Sequence, residues 1–473
     1  MRSWAAAATT VAMAVLGGCA VGPNYHRPDT PVDAHFANAA EPGFAETEAV
    51  EHYWTGFGDA MLTGLIDDAL AHNLDLSAAE ANLRAARAAR RLAGFDQYPT
   101  VTLAASYTHN LDSQEQLPGV DMHDREFDAA QAGFDGLWEL DLFGRVRRNV
   151  EAARGDLGAA AATLQDARVS VIAEAARDYF ILRGLQDQLA LTQRNAENQF
   201  NTFKLTRNRL DAGRGNELDT SRAEAQWQTT LSTIPTLEAS IATTCYRLSV
   251  LTGRQPTALS AGLSSLAPMP ALPPLNAIGT PEQLLRRRPD VRVAERRLAA
   301  ATARVGVAVG DLFPKVTLVG EVGYFAPTFG DFGQSEARSF SVGPSISWAA
   351  FDLGRVQARI SSAKAQTDEA LAAYEGAVLG ALEDTEGALL SYGRSQVRRD
   401  ALRVAAAASD KAADLARKRF EGGLIDFLEV LDAERTALSA ELLLSQSRTD
   451  AATSLIAVYK ALGAGWRTAA APK

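Results

Sequence analysis

The chain has 473 residues, of which 47% are apolar and 22% charged, the composition of an ordinary folded protein. A formal net charge of -10 argues against a nucleic-acid partner, which would need a basic face. The two cysteines, Cys19 and Cys245, sit in different contexts, so no disulfide is expected. All six histidines lie at or before position 123 without metal-binding spacing, so neither a metal nor a cofactor is expected.

Arg2 precedes an apolar run from Ala5 to Leu16, followed by Gly17-Gly18-Cys19. A positive start, a short apolar core and small residues make residues 1–18 a secretory signal. The run is too short to stay as a membrane helix. The Leu-Gly-Gly-Cys ending resembles the bacterial lipobox, which implies that Cys19 becomes the first residue and carries lipid. A plain signal peptide with an incidental cysteine is the alternative. Ala20 is not the Asp that marks inner-membrane retention. Several acyl chains, at about 0.8 kcal/mol per buried CH₂, would hold this end firmly to a membrane. Residues 19–60, rich in Pro, Gly, Asp and Ala, read as an extended tether. A first repeat over 61–253 then opens with one helix from Met61 to Asp96, carrying Leu62, Leu65, Ile66, Ala69 and Leu70 on one side.

Tyr98-Pro99 stops that helix, and a β-hairpin is expected at about 100–141. Val101, Leu103, Ala105 and Tyr107 alternate with threonine and serine. Phe134, Gly136, Trp138 and Leu140 alternate with Asp135 and Glu139. Strands of about ten residues have the length of tilted membrane strands, although soluble hairpins alternate in the same way.

From Gly144 the chain is written twice. A shift of 210 positions lays Gly144-Arg145-Val146 on Gly354-Arg355-Val356, Leu218 on Leu428 and Gly253 on Gly463. After Arg355, the positions Val356, Ile360, Ala363, Thr367, Ala370, Tyr374, Ala377 and Ala381 step alternately by 4 and 3. Their counterparts from Val146 to Val171 are all apolar. Each copy therefore predicts a helix of roughly 65 residues, roughly 100 Å long, followed by a turn and a return helix. The turns fall at 210–216 and 420–426. The alanine-rich seam suits a broad helix sheet or barrel, though a free-standing coiled-coil hairpin carries the same stripe.

Residues 254–280 hold five prolines and read as an irregular connection. The second repeat, 281–463, starts with Thr280 as N-cap and Pro281 at the first helical position, in a helix running toward Gly310. Phe313-Pro314 ends it. A hairpin at 315–350 follows, with Val316, Leu318, Val322 and Tyr324, then Phe340, Val342, Ile346 and Trp348, on its apolar face. Residues 464–473 read as a frayed tail. The mature chain has no segment apolar enough for a membrane helix. A sheet in lipid must close, and four strands are too few, so membrane strands would make the protein an obligate oligomer.

Cys19, Val21-Gly22-Pro23-Asn24-Tyr25, the Gly310-x-x-x-Pro314 exit, Asp352-Leu353-Gly354-Arg355, Arg419-Phe420-x-x-Gly423 and Phe427-Leu428-Glu429-Val430-Leu431-Asp432 resemble the motifs of the lipid-anchored, TolC-like outer-membrane efflux family (the OprM/NodT branch). The resemblance covers nearly the whole chain. It implies a mainly α fold with a membrane β-barrel: a homotrimer in which twelve strands close one barrel and twelve helices form a periplasmic tunnel. The partners it implies are outer-membrane lipid, a periplasmic membrane-fusion adaptor and an inner-membrane transporter of the resistance–nodulation–division type. The duct would pass drugs or other small molecules and perform no chemistry on them. The helix turns, with Gly213, Gly215, Gly422 and Gly423, are implied as adaptor contacts. Leu428 matches a hydrophobic constriction, and Glu429 and Asp432 match acidic rings, with Arg435 and Arg222 as candidate partners. Positions 428, 432 and 435 share one helix face. An ordinary solvated face with ion pairs is the alternative. Asp219 matches an acidic lock residue whose usual tyrosine and arginine partners correspond here to Phe420 and Ile425. The gate is therefore expected to rest on Leu428 packing and contacts of Asp432 with arginine. A duct of the same fold serving protein secretion, and a poreless structural envelope lipoprotein, are the competing functions. The first is disfavoured by the lipid-type cysteine, the second by the four amphipathic strands it leaves unexplained.

Overall fold

The computed structural model describes residues 20–39, 52–275 and 277–464; Cys19 and the tail from 465 lie outside them. The helices are α1 (Ala60–His72), α2 (Leu74–Phe95), α3 (Arg145–Asp211), α4 (Glu217–Leu251), α5 (Pro281–Arg287), α6 (Pro289–Gly310), α7 (Leu353–Glu421) and α8 (Phe427–Ala461). The strands are β1 (Thr100–Leu111), β2 (Glu126–Leu140), β3 (Lys315–Ala326) and β4 (Arg338–Ser347). Single turns at Met122–Arg125 and Ser260–Leu263, and 3-10 turns at Ala37–Ala39, Tyr53–Phe57, Phe329–Asp331 and Ser335–Ala337, complete the helical elements. Chain contacts group these into two compact units. The first comprises the described parts of Met1–Asp29, Asn82–Ala161 and Val293–Glu375; the second comprises those of Thr30–Ala81, Ala162–Arg292 and Gly376–Lys473. α3 and α7 each contribute to both.

The first unit holds an antiparallel sheet in the order β1-β2-β3-β4. Its register places Leu103, Phe134, Val322 and Phe340 in one row, and Val101, Gly136, Gly320 and Val342 in the next on the same side. The four apolar faces read from alternation thus form one continuous surface. Side chains on it are exposed: Leu103 67%, Phe340 80%, Val342 71%. Thr102, Asp135, Glu321 and Ser341 form a row on the opposite side. Among the described residues, β1 and β4 each keep one edge without a strand partner.

The core of the second unit gathers α1, the middle of α3 and the ends of α4 and α8 around Tyr179, Phe180, Ile66, Leu248 and Leu455. Tyr53 stacks on Tyr459 with ring centroids 4.4 Å apart. Both repeats are visible to the residue. α3 and α7 end at 211 and 421, and α4 and α8 span 217–251 and 427–461, each pair 210 apart.

Both helices that open the repeats depart from the sequence reading. The stretch from 61 to 96 is two helices, because Asn73 is extended and its Oδ1 accepts from Asp75 N (2.9 Å) and Leu76 N (3.1 Å), capping α2. The stretch from 281 to 310 breaks at Arg288, before Pro289. A residue preceding proline disfavours the helical region. The two breaks serve one end. Asn73 Nδ2 donates to Leu251 O at 3.0 Å, and Arg288 Nη1 donates to Ala461 O at 3.1 Å, the last helical residues of α4 and α8. Orphan carbonyls at a helix C-terminus need such donors.

Candidate functional site

The two tips are built alike. Gly213 (φ 69°) and Gly423 (φ 73°) follow α3 and α7 in the left-handed conformation that glycine adopts without penalty. Gly213 N donates to Leu210 O and Arg214 N to Arg209 O, both at 2.8 Å; Gly423 N to Phe420 O and Leu424 N to Arg419 O, both at 2.9 Å. Gly422 is different: its position is Ala212 in the first copy, and an added Cβ would meet nothing closer than 3.6 Å. A Cβ on Gly215 would lie 2.8 Å from Leu210 N, so that glycine is required by close approach.

Ala223, Phe420, Phe427, Val430 and Leu431 form a small apolar core behind the tips, with Ile425 packed against it. Arg209 donates to Phe420 O at 3.2 Å and lies 4.5 Å over the Phe420 ring, joining the two hairpins. Cation–π contacts of this kind contribute about 0.5–1 kcal/mol or more. Phe420 and Ile425, which stand where lock partners of Asp219 would be, are thus packed in this core. Asp219 is instead part of a cap: Asn216 Oδ1 accepts from Asp219 N and Asn216 Nδ2 donates to Asp219 Oδ2, both at 2.8 Å. Arg222 lies 4.0 Å from Asp219 on the same helix.

Leu428 (55% exposed), Glu429, Asp432 and Arg435 are exposed together, and Leu218, the repeat mate of Leu428, is 57% exposed. Asp432 and Arg435 have no ion pair among the described residues of one chain. Between them in sequence, Glu434 points the other way. Its side chain is 6% exposed, Thr202 Oγ1 donates to it at 3.1 Å, and Arg417 Nε lies 3.1 Å away. Burial holds its carboxyl above the usual range, against the opposing pull of Thr202 and Arg417.

At the other functional region, Trp138 Nε1 and Trp348 Nε1 donate to the carbonyls of Gln97 and Leu312 at 3.0 Å, at the helix end of the sheet. Tyr107, Tyr324, Phe329 and Phe332 cluster at the loop end. The apolar rows lie between. From Trp138 to Phe134, and again from Leu103 to Tyr107, is four residues, together about 26 Å of strand. Aromatic rings with one wet end flank the apolar band of membrane barrels in this way.

A family model described as outer membrane efflux protein matches residues 65–254 and 280–464. The chain belongs to the outer membrane efflux protein family. It is 31% identical over 462 residues to outer membrane protein OprJ of Pseudomonas aeruginosa, covering 95% of this chain and 94% of that one. It is 30% identical over 461 residues to nodulation protein T of Rhizobium leguminosarum bv. trifolii, covering 96% of each. The solved outer-membrane channel OprN matches with a TM-score of 0.89 and 44% identity over 95% of this chain and 100% of that one. The open state of the MtrE outer membrane channel of Neisseria gonorrhoeae matches at 0.85 and 28%, over 94% and 98%. The protein is thus an outer-membrane exit duct of an efflux pump, with a TolC-like fold.

Sequence reasoning missed the clamp on the efflux protein's N-terminal motif. Arg148 Nε donates to Val21 O (3.1 Å), and its Nη2 to Gly22 O (3.2 Å) and Asn24 Oδ1 (2.7 Å). Tyr25 OH donates to Glu295 Oε1 at 3.3 Å. Gly22 has φ 88°, and a Cβ there would sit 2.5 Å from Gly306 Cα. The one available signal was that Arg148 is Ala358 in the second copy, a departure from the repeat.

Proposed function

We propose that three copies of this chain form one lipid-anchored duct that receives drugs or other small molecules from an inner-membrane transporter through a periplasmic adaptor. The observation that carries this is the sheet: one unbroken apolar surface of four strands with both edges open. An open edge in lipid leaves backbone groups unpaired, so further copies must close it. α7 supports the same conclusion, because Leu379, Leu390, Val397, Val404 and Leu415 are exposed along it, three of them at seven-residue spacing. No helix among the described residues is long and apolar enough to cross a membrane.

Cys19 is the proposed lipid site. Its neighbour Ala20 packs on Gly144, and Val21 N donates to Phe143 O at 3.0 Å, where β2 passes into α3. That placement would hold an acyl chain beside the membrane end of the sheet. Relatives named as an antibiotic efflux pump outer membrane protein and a toluene efflux pump outer membrane protein, both of Pseudomonas putida, support a small-molecule cargo. The duct itself carries out no reaction. At the tips, Leu428 forms the constriction and Glu429 and Asp432 the acidic rings, with Arg435 and Arg222 as partners across copies. Asp219 supports the turn through its cap. The turns at Gly213, Gly215, Gly422 and Gly423 face the adaptor.

Single-channel recording in planar bilayers tests both layers of this reading. The parent is expected to give a small current and Asp432→Ala a larger one. No current from either protein sinks the duct; equal currents sink the gate role of Asp432.

A further inference from the structure

The tip carries one buried charge that the gate reading leaves unused. Glu434 lies between three helices: Thr202 of α3 donates to it, Arg417 of α7 flanks it, and it belongs to α8. A polar cavity of about 230 Å³ adjoins it, lined by Arg194, Asn195, Gln199, Asp410, Arg417 and Glu441. Gln199 Oε1 is buried there without a partner, although the residue is only 3% exposed. Arg417 Nε also lacks an aligned hydrogen bond, so its contact with Glu434 is an ion pair off the N–H axis. Elsewhere in the cavity Arg194 pairs with Glu441 at 3.1 Å, and Asn195 Nδ2 donates to the same carboxylate at 3.0 Å.

The repeat supplies an internal control. Arg207 and Glu224 are the 210-shifted mates of Arg417 and Glu434. There Arg207 turns to Asp211 at 3.6 Å, and Glu224 is exposed. Within one chain Glu224 is exposed where Glu434 is buried, while Arg207 is 61% exposed and Arg417 36%. What differs is Thr202, reaching across from the first hairpin.

We infer that Glu434 is the latch holding the second helical hairpin against the first just above the tip, and that its charge sets how readily the tip opens. This rests on the duct reading. Separating the hairpins hydrates Glu434, so the latched state binds its proton more tightly than the open one, in line with the burial that raises its proton affinity here. Acid therefore favours the latched tip, and rising pH favours opening. Each unit of difference in proton affinity is about a tenfold bias per chain. Asp410, Glu441, Arg194 and Arg417 face the same cavity, and Asp432 and Arg435 flank Glu434 on its own helix, so the test must isolate this group.

The experiment is planar-bilayer recording of the intact protein between pH 5 and 8, comparing the parent, Glu434→Gln, Glu434→Ala and Asp432→Asn. The parent should open more often as pH rises. Glu434→Gln, which keeps size and the Thr202 contact, should stay as closed at pH 8 as the parent at pH 5. Glu434→Ala should be more open than the parent at every pH. Asp432→Asn should keep the pH dependence while changing the current. A parent-like pH profile in Glu434→Gln, or identical currents in Glu434→Gln and Glu434→Ala, overturns the latch. Loss of the Asp432 effect alone overturns the gate reading and leaves the latch standing.

Discussion

Placing an arginine at Val342 or at Ser341 separates a lipid-facing sheet from a water-facing one. The two residues are neighbours on β4 and point to opposite faces. Val342 is 71% exposed and lies along β4 between Arg338 at the loop end and Trp348 at the helix end, near the middle of the apolar band. An arginine at the midplane of a membrane barrel costs about 2–4 kcal/mol per chain, hence roughly 6–12 kcal/mol for three. On a water-exposed face, the same substitution stays within about 0.5 kcal/mol. Ser341 pairs with Glu321, so arginine there gains an opposite charge across the strand, a contribution of about 0.2–1 kcal/mol. Urea titration of folding into lipid vesicles, read by gel mobility of unheated samples, measures both. Val342→Arg should lose the folded oligomer at far lower urea, with Ser341→Arg near the parent. Equal midpoints for the two variants would refute the membrane assignment of this face.

Four further outcomes follow from the same geometry. Gly423→Ala should destabilise by about 1–2 kcal/mol through its positive φ, while Gly422→Ala should be near neutral; calorimetry compares them. Arg148→Ala removes three charge-assisted bonds and should cost about 2 kcal/mol or more, freeing residues 20–25 to proteolysis near Tyr25. Asp135 and Glu321 stand directly opposite each other on the polar face, so the pore should prefer cations, and Asp135→Asn with Glu321→Gln should reduce that preference in reversal-potential measurements. Burial, then the Asp290 charge, holds Asp166 above the usual carboxylate range, so its charged form weakens the fold. Below the ordinary range of aspartate it is neutral in both folded and unfolded chains and this weakening vanishes. Asp166→Asn should therefore raise the melting temperature at pH 8 and leave it nearly unchanged near pH 3.

Much of the architecture was legible because two periodicities coexist in the chain. Alternation assigned the apolar faces of all four strands, and the register then joined them into one surface. The 210-residue shift located both turns, since Gly213 and Gly423 stand where the backbone must turn left-handed. The break at Asn73 was hidden because the helical pattern of apolar residues continues across it, whereas the break at Arg288 had a signal in Pro289 that the apolar pattern overrode. Only the distant carbonyls of Leu251 and Ala461 give the breaks a purpose. The Arg148 clamp was hidden for the same reason, with its partners more than 120 residues away. The substitution of Phe420 and Ile425 for polar lock residues was visible in the sequence. That Phe420 would enter an apolar core under Arg209 was not, since the pattern does not say which hairpin supplies the cation.

The two copies agree where they build the scaffold and differ where the molecule does something. Helix C-terminal ends, the left-handed turn glycines Gly213 and Gly423, and the anchored carbonyls coincide at the 210-residue shift. Ala358 becomes Arg148 where the N-terminal motif docks. Arg222 becomes Asp432 at the proposed acidic ring, and Glu224 and Glu434 are identical in sequence but opposite in exposure. A duplicated hairpin would bury equivalent positions equally if each copy met the same neighbours. Within one chain, the unequal burial of Glu224 and Glu434 marks the second hairpin as the one whose glutamate is covered by the other hairpin's Thr202. In the latch reading, the second hairpin carries its buried carboxyl where the first hairpin can hold it. Thr202 is positioned to do that.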